Sequence, residues 1–249
     1  MRGFRARLGF ILAPGNTSFE NEVHSLMPHG VTAHFTRMPS KIAPRDQIAL
    51  SYQQWTKNVE EYAKLFELAD VKCIALANTV GSLALGQNGD EAIINRMQQT
   101  TGVKCTTALS SLIKALRKLG AKRVGLVFPY SSFDNRLNDL LTDIFNSQGI
   151  TVKAKQNVPL SDSSPLERQI PDLDPIIFYQ TAMKIADSSS DLEAIVSPST
   201  NLPSADVIND VEHDTGKYVV TGTQAICWDS LRIAGINDNI AQGGALFSS

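Results

Sequence analysis

Arg7-Leu8-Gly9-Phe10-Ile11-Leu12 returns later in the chain as Arg123-Val124-Gly125-Leu126-Val127-Phe128. Lys72-Cys73-Ile74-Ala75-Leu76 returns in the same way as Glu193-Ala194-Ile195-Val196-Ser197. A third pair is longer. Gly102-Val103-Lys104-Cys105 runs through Thr and Ser into Leu112-Ile113-Lys114-Ala115-Leu116-Arg117-Lys118-Leu119-Gly120, and Gly216-Lys217-Tyr218-Val219-Val220 runs into Trp228-Asp229-Ser230-Leu231-Arg232-Ile233-Ala234-Gly235. The offsets agree, at about 115 to 121 residues, as duplication of one structural unit requires. Two similar lobes are therefore expected. Residues 1–105 together with 222–249 would form the first and 106–221 the second, with a ligand site in the cleft between them.

Working outward from these repeats, short apolar runs alternate with longer helical patterns. Phe10 to Leu12, Val71 to Leu76, Val124 to Phe128, Ala194 to Val196 and Tyr218 to Val220 are nearly continuous in apolar character, as buried parallel strands are. Gln53 to Leu68, Gly89 to Thr100, Ser110 to Leu119, Phe133 to Ser147 and Ala205 to Thr215 carry helical spacing, and Gly120, Gly149, Gly216 and Gly235 fall where helices should end. The pattern predicts an α/β fold of two pseudo-symmetric, doubly wound parallel-sheet lobes. Asn157 to Pro175, rich in Pro, Ser and Asp, reads as a long connection inside the second lobe.

Composition narrows the partners. Hydrophobic residues make up 43% of the 249 and charged residues 19%, with a formal net charge of -2, so a sizeable core is available but neither nucleic acid nor an anionic membrane surface is favoured. No run approaches the roughly 18 apolar residues of a membrane span. Leu8 to Ala13 is too short for a signal-peptide core, and the three cysteines, Cys73, Cys105 and Cys227, show no metal-ligand spacing. A cytoplasmic protein is expected, with homo-oligomerisation left open.

Ligands of open parallel sheets bind beyond the carboxyl ends of the strands. The residues there are Pro14-Gly15-Asn16-Thr17, Asn78-Thr79-Val80-Gly81-Ser82, Pro129-Tyr130-Ser131-Ser132 and Pro198-Ser199-Thr200-Asn201. All four stretches are dominated by neutral hydrogen-bonding side chains, and each should lead into a helix whose free N–H groups attract an anion. Four such loops facing one another would hold a small anion without a lysine; helix capping is the competing role for the same side chains.

These loops, with Glu20, Glu22, Met27-Pro28-His29-Gly30-Val31, Arg37, Val127-Phe128-Pro129-Tyr130, Ser199-Thr200-Asn201-Leu202, Gln224 and Leu231-Arg232-Ile233-Ala234-Gly235-Ile236, resemble the aspartate/glutamate racemase superfamily. The similarity is strongest to the branch containing maleate cis–trans isomerase and arylmalonate decarboxylase, and it covers nearly the whole chain. It implies a small-carboxylate site between the lobes and no metal or organic cofactor. On this resemblance Asn16, Thr79 and Tyr130 contact a substrate carboxylate and Thr200 and Asn201 supply the opposite contacts, with Thr17, Ser82 and Ser131 beside them. The family's two catalytic cysteines fall on Asn78 and Ser199. A serine hydroxyl is far less acidic than a thiol near 8.5, so two-cysteine racemisation and thiolate addition to a double bond are not expected.

Cys73 and Cys227 read as core. Cys105, taken to end a strand at the lobe edge, is the one cysteine placed near the cleft, with a packing role favoured over a reactive one. His24, His29 and His34 are spaced five apart, which suits no shared helix or strand face, and His213 is remote, so no metal site is expected; His24 alone follows the first loop closely enough to be considered as an acid or base. There is no G-x-x-x-x-G-K-[ST], no G-x-G-x-x-G after the first strand, no G-x-S-x-G and no H-E-x-x-H. The expectation is a cofactor-independent isomerase or lyase of decarboxylase type acting on a small mono- or dicarboxylate, with Asn78 and Ser199 polarising the reacting centre and Tyr130 as anchor or proton donor. The alternatives are a non-catalytic carboxylate binder with the same fold and an isomerase using a relocated cysteine.

Overall fold

The structure, a computed structural model, describes residues 3–39, 54, 56–86, 88–129, 135–160 and 169–249. Tyr130 and Ser131 lie outside the described residues, as do the start expected for the 133–147 helix and residues 161–168 of the connection expected after Asn157.

Each half of the chain builds one four-stranded sheet. In the first, β1 (Ala6–Leu12), β2 (Val31–Arg37), β3 (Cys73–Ala77) and β4 (Cys105–Thr107) lie in the order β2-β1-β3-β4. In the second, β5 (Arg123–Phe128), β6 (Thr151–Asn157), β7 (Ala194–Ser197) and β8 (Tyr218–Thr221) lie in the order β6-β5-β7-β8. Every pairing is parallel. The register reproduces the sequence repeat. Leu8 pairs with Cys73 where Val124 pairs with Ala194, and Ile74 pairs with Cys105 where Ile195 pairs with Val219.

The repeated glycine of β1 and β5 has a packing cause. A Cβ on Gly125 would stand 2.2 Å from Ile185 Cγ2, and one on Gly9 would stand 3.1 Å from the Phe66 ring. In both lobes a large side chain therefore packs against the glycine, closer than a Cβ permits at Gly125 and close enough at Gly9 that the Phe66 ring would have to give.

The helices follow the same plan. In the first half they are α1 (Phe19–Ser25), α2 (Val59–Lys64), α3 (Thr79–Leu83), α4 (Gly89–Thr101) and α5 (Ala108–Leu119). The second half supplies α6 (Asn135–Ser147), α7 (Pro175–Ser188), α8 (Ile208–Thr215), α9 (Gly222–Ile233) and α10 (Gly244–Ser248). The equivalent helices α5 and α9 pack on one another, and both begin on a threonine cap at the end of the last strand of their sheet. Thr107 accepts from Ser110 N at 3.2 Å, while Thr221 and Gln224 form a reciprocal capping box. Asp229 of α9 ties the pair together, accepting from Thr106 Oγ1 at 2.6 Å, Ser111 Oγ at 3.0 Å and Lys114 Nζ at 2.7 Å. Gly120, Gly149, Gly216 and Gly235 all have positive φ at or just past helix ends.

Three expectations need correction. The edge strands β2 and β6 were not anticipated. Their residues alternate or stay half-exposed instead of forming apolar runs, and β6 carries Lys153 and Lys155 on an exposed sheet margin. Cys105 begins β4 and does not end it. The loop after β7 does not lead straight into an α-helix: it passes a single turn at Ala205–Val207 before α8 begins.

Candidate functional site

Three of the four expected loops are described, and they meet where the carboxyl ends of the two sheets face each other. β3 ends at Ala77, so Asn78 is the first residue beyond it. Asn78 caps the short helix α3, its Oδ1 accepting from Gly81 N at 3.1 Å. Its Nδ2 is buried with no hydrogen-bond partner among the described residues. Across the seam, the loop after β7 lies against the start of α9, where a Cβ on Gly222 would stand 2.6 Å from Ser199 O. The Ser199 Oγ accepts from Asn201 N at 3.0 Å.

Direct bonds join the loops. Thr79 Oγ1 donates to Pro198 O at 2.6 Å, and Thr200 Oγ1 donates to Ala77 O at 3.0 Å. Asn16 Nδ2 donates to Thr200 O at 2.9 Å, while Asn16 Oδ1 accepts from Phe19 N at 3.1 Å and so fixes the first turn of α1. Ser18 Oγ reaches Asn201 Oδ1 at 3.4 Å. A threonine hydroxyl has one proton. In this arrangement Thr79 and Thr200 spend theirs on opposite backbones, and offer only lone pairs to anything else. Among the described residues Asn78 Nδ2, Asn201 Nδ2 and the exposed Thr17 hydroxyl carry no such commitment, and the Ser82 Oγ is buried without a partner. Asn16, Thr79, Asn78, Ser199, Thr200 and Asn201 are thus brought together, with Thr17 at the rim and Ser82 behind Asn78.

Two acidic residues near this seam have shifted carboxyl groups. Burial pushes Glu22 up, although the Ala205 and Ser204 N–H groups, pointing at its Oε1, pull the other way. Burial also raises Asp90, against the opposing effect of its bond to the Thr107 hydroxyl. Arg37 holds the first loop from outside, pairing with Glu20 and donating from Nη1 to Asn16 O at 2.6 Å.

Comparison with known proteins identifies this architecture. The arylmalonate decarboxylase family pattern matches residues 8–247. The chain belongs to the arylmalonate decarboxylase family. It is 25% identical to a maleate isomerase of Pseudomonas putida over 97% of both chains, and 23% identical to the arylmalonate decarboxylase of Bordetella bronchiseptica over 74% of each. A cysteine-to-alanine variant of maleate isomerase from another strain of Pseudomonas putida, solved with maleate, superposes with a TM-score of 0.85 at 24% identity, covering 98% of this chain and 97% of that one. The racemase-like fold of two parallel-sheet lobes is shared.

Within this family framework the cysteines of the present chain stand apart from the loops. Cys73 and Cys227 are fully buried, and burial drives both thiols far above their ordinary range. Cys105 pairs in register with Ile74, four residues before Asn78, and its thiol donates to Val103 O at 3.3 Å; burial pushes it up to about 12. It sits at the start of β4 and is packed in the core, the role favoured for it from the sequence. His24 is exposed, its ring edge-on to Phe35 at 5.6 Å between centroids. Among the described residues no group of three or more His, Cys, Asp and Glu has a metal-binding arrangement, and no helix is long and apolar enough to cross a membrane.

Sequence reading gave no role to Asp90 and could not see that Glu22 caps a turn on the other side of the seam. The signal for Asp90 was present: an acid in the first turn of a helix that starts Gly89-Asp90, close after the Asn78 loop. Gln224, quoted with the site loops, belongs to the capping box of α9, and its Nε2 donates to Gly243 O at 2.8 Å.

Proposed function

We propose that this chain is a cofactor-independent enzyme that isomerises or decarboxylates a small mono- or dicarboxylic acid without the cysteine pair usual in its superfamily. The observation that supports this reading is the loop chemistry at the matched strand ends. Asn78 and Ser199 stand there, and every cysteine is buried with its thiol held protonated. A buried thiol with a pKa of about 12 is almost wholly protonated near neutral pH, so it is neither nucleophile nor base. Residues 1–105 with 222–249, and 106–221, are taken as the two lobes, with the ligand site in the cleft between them.

Decarboxylation suits a site of this kind. The bond from carbon to the leaving carboxylate breaks, its electron pair becomes an enolate-type anion, and a proton then returns to carbon. Asn78 Nδ2, already desolvated and unpaired, is the donor for the developing oxyanion. One such donor contributes about 2.7 to 4 kcal/mol, or 10² to 10³ in rate. Asn201 and Thr17 would hold the retained carboxylate, with Asn16, Thr79 and Thr200 completing the cleft, Ser82 behind Asn78, and Tyr130 and Ser131 supplying the fourth loop. Ser199 would polarise the opposite face, and Tyr130 would return the proton.

The test is turnover of malonate-type and maleate-type acids by the wild-type protein and by Asn78→Ala. The reading expects kcat to fall by about 10² to 10³ in the variant while calorimetric affinity for the same acid is largely kept. Binding without turnover in the wild type would make the chain a carboxylate binder. Complete loss of turnover on alkylation of Cys105 would make it a relocated-cysteine enzyme. Either result overturns the proposal.

A further inference from the structure

Glu22 is a buried acid that the proposed reaction does not use, and it reaches across the seam. It lies in α1, whose first turn Asn16 holds, and its Oε1 alone accepts from the N–H groups of Ser204 and Ala205, the latter at 2.6 Å. Its Oε2 is buried and makes no hydrogen bond among the described residues. A buried carboxylate oxygen without a donor is costly, so this setting favours the acid form.

The Thr223 hydroxyl, buried in the first turn of α9, connects this acid to the cleft. It has a single proton to give. In the structure that proton goes to Thr200 O at 3.5 Å, the same carbonyl that Asn16 Nδ2 holds at 2.9 Å from the first loop. The hydroxyl also acts on the Glu22 carboxyl, favouring its charged form. An ionised Glu22 would therefore draw the Thr223 proton to its bare Oε2 and away from Thr200 O, leaving the Thr200–Asn201 loop with one tie fewer. The other titratable groups around Glu22 offer it no counter-charge. Asp206 in the turn repels the charged form, and Cys227 in α9 stays protonated through burial. On β2, Arg37 is committed to Glu20 and Asn16 O, and burial lowers His34.

We propose that Glu22 is a positioning residue for the cleft: as an acid it leaves the Thr223 proton on Thr200 O and so fixes the Thr200–Asn201 loop against Asn16, and as a carboxylate it releases that loop. The effect on the loop stands on the geometry alone, while the consequence for a ligand rests on the function proposed above. The site is then best formed below the pH at which Glu22 ionises, and loosens as pH rises through that value.

The experiment follows ¹⁵N-labelled, ligand-free protein by NMR from about pH 4.5 to about pH 9, reading the backbone N–H signals of Ala205 and Asn201 and the side-chain amide of Asn16. In the wild type all three should move together with one midpoint above the ordinary 4.5 of a glutamate. That midpoint should vanish in Glu22→Gln, whereas a titration of Asp206 would persist there. In Thr223→Val, Ala205 should still titrate while Asn16 and Asn201 no longer follow. Titration of Ala205 alone in the wild type would make Glu22 a turn cap and nothing more, and the absence of any Glu22-dependent midpoint would remove the switch; either result overturns the proposal. Malonate is then titrated calorimetrically at both ends of the same range. Its affinity should fall more with rising pH for the wild type than for Glu22→Gln, and equal changes in the two proteins would overturn the link to the site. Failure of malonate to bind either protein would count against the proposed function, with the NMR titration still deciding the role of Glu22.

Discussion

Thr79→Val separates two roles that one hydroxyl cannot hold together. The family resemblance makes Thr79 a carboxylate contact, whereas the structure directs its single proton to Pro198 O at 2.6 Å across the seam. Thr79 is 2% exposed, so water does not replace the lost bond. Valine keeps the shape and removes only the donor. The carbonyl of Pro198 is then left short of a partner, and the loss should be about 1 to 3 kcal/mol of stability. For a chain of this length each kcal/mol moves Tm by roughly 2 to 4 °C. Calorimetric unfolding of wild type, Thr79→Val and Thr79→Ser measures this directly, with serine expected to recover most of the loss because it restores the proton. Titration of the same three proteins with the best-bound carboxylate supplies the other half. If the hydroxyl turned instead to the ligand, stability would stay within about half a kcal/mol of wild type while affinity fell by about 1.5 to 3 kcal/mol. That outcome would refute the assignment of Thr79 to the seam.

Two other substitutions test the packing and electrostatics. Glu22 has a folded-state pKa above its ordinary value of 4.5, so the folded protein binds this proton more tightly than the unfolded chain, and the corresponding stability is present below 4.5 and is lost as pH rises through the raised value. Glu22→Gln keeps an acceptor for the Ser204 and Ala205 N–H groups without the charge, so its stability relative to wild type should improve as pH rises from about 4.5 to neutral; a difference that stays constant across that range in denaturant titrations would show that the charge is not penalised. Gly125→Ala should cost about 1 to 3 kcal/mol through the 2.2 Å approach to Ile185, more than Gly9→Ala against the flexible Phe66 ring at 3.1 Å, and Ile185→Val in the same chain should return part of it; a neutral Gly125→Ala would deny the close approach.

Much of the fold can be read from the sequence because its inner strands are buried on both faces. Phe10 to Leu12 and Ala194 to Val196 need no partner to be recognised, since continuous apolar runs of that length between helical stretches have few other homes. The margin strands are different. Val31–Arg37 and Thr151–Asn157 are half solvated, so their polarity resembles that of a loop, and only their pairing with Ala6–Leu12 and Arg123–Phe128 makes them strands. The site divides in the same way. That Asn16, Asn78, Thr79, Thr200 and Asn201 should gather at one edge follows from where strands end. Where their protons point does not follow, because the acceptors of Asn16, Thr79 and Thr200 lie 119 to 184 residues away. Cys105 was misplaced for a smaller reason: a three-residue strand leaves its two ends indistinguishable by composition.

The duplicated lobes are matched in topology but not in the charge they offer the cleft. In the first lobe the chain passes from β3 into α3 through Asn78, whose oxygen caps the helix and whose amide N–H groups stay open. In the second, the loop after β7 reaches a short turn whose leading N–H groups, at Ser204 and Ala205, already hold the Glu22 carboxyl from α1. A donor occupied by a protein carboxyl cannot also stabilise a substrate oxyanion. The two halves of the seam therefore cannot act as equals, as a pair of opposed, equivalent acids and bases would have to in a symmetric racemisation. Under the proposed function a one-sided reaction fits this asymmetry better: charge would develop against Asn78, while the second lobe would position the substrate through Asn201 and Ser199.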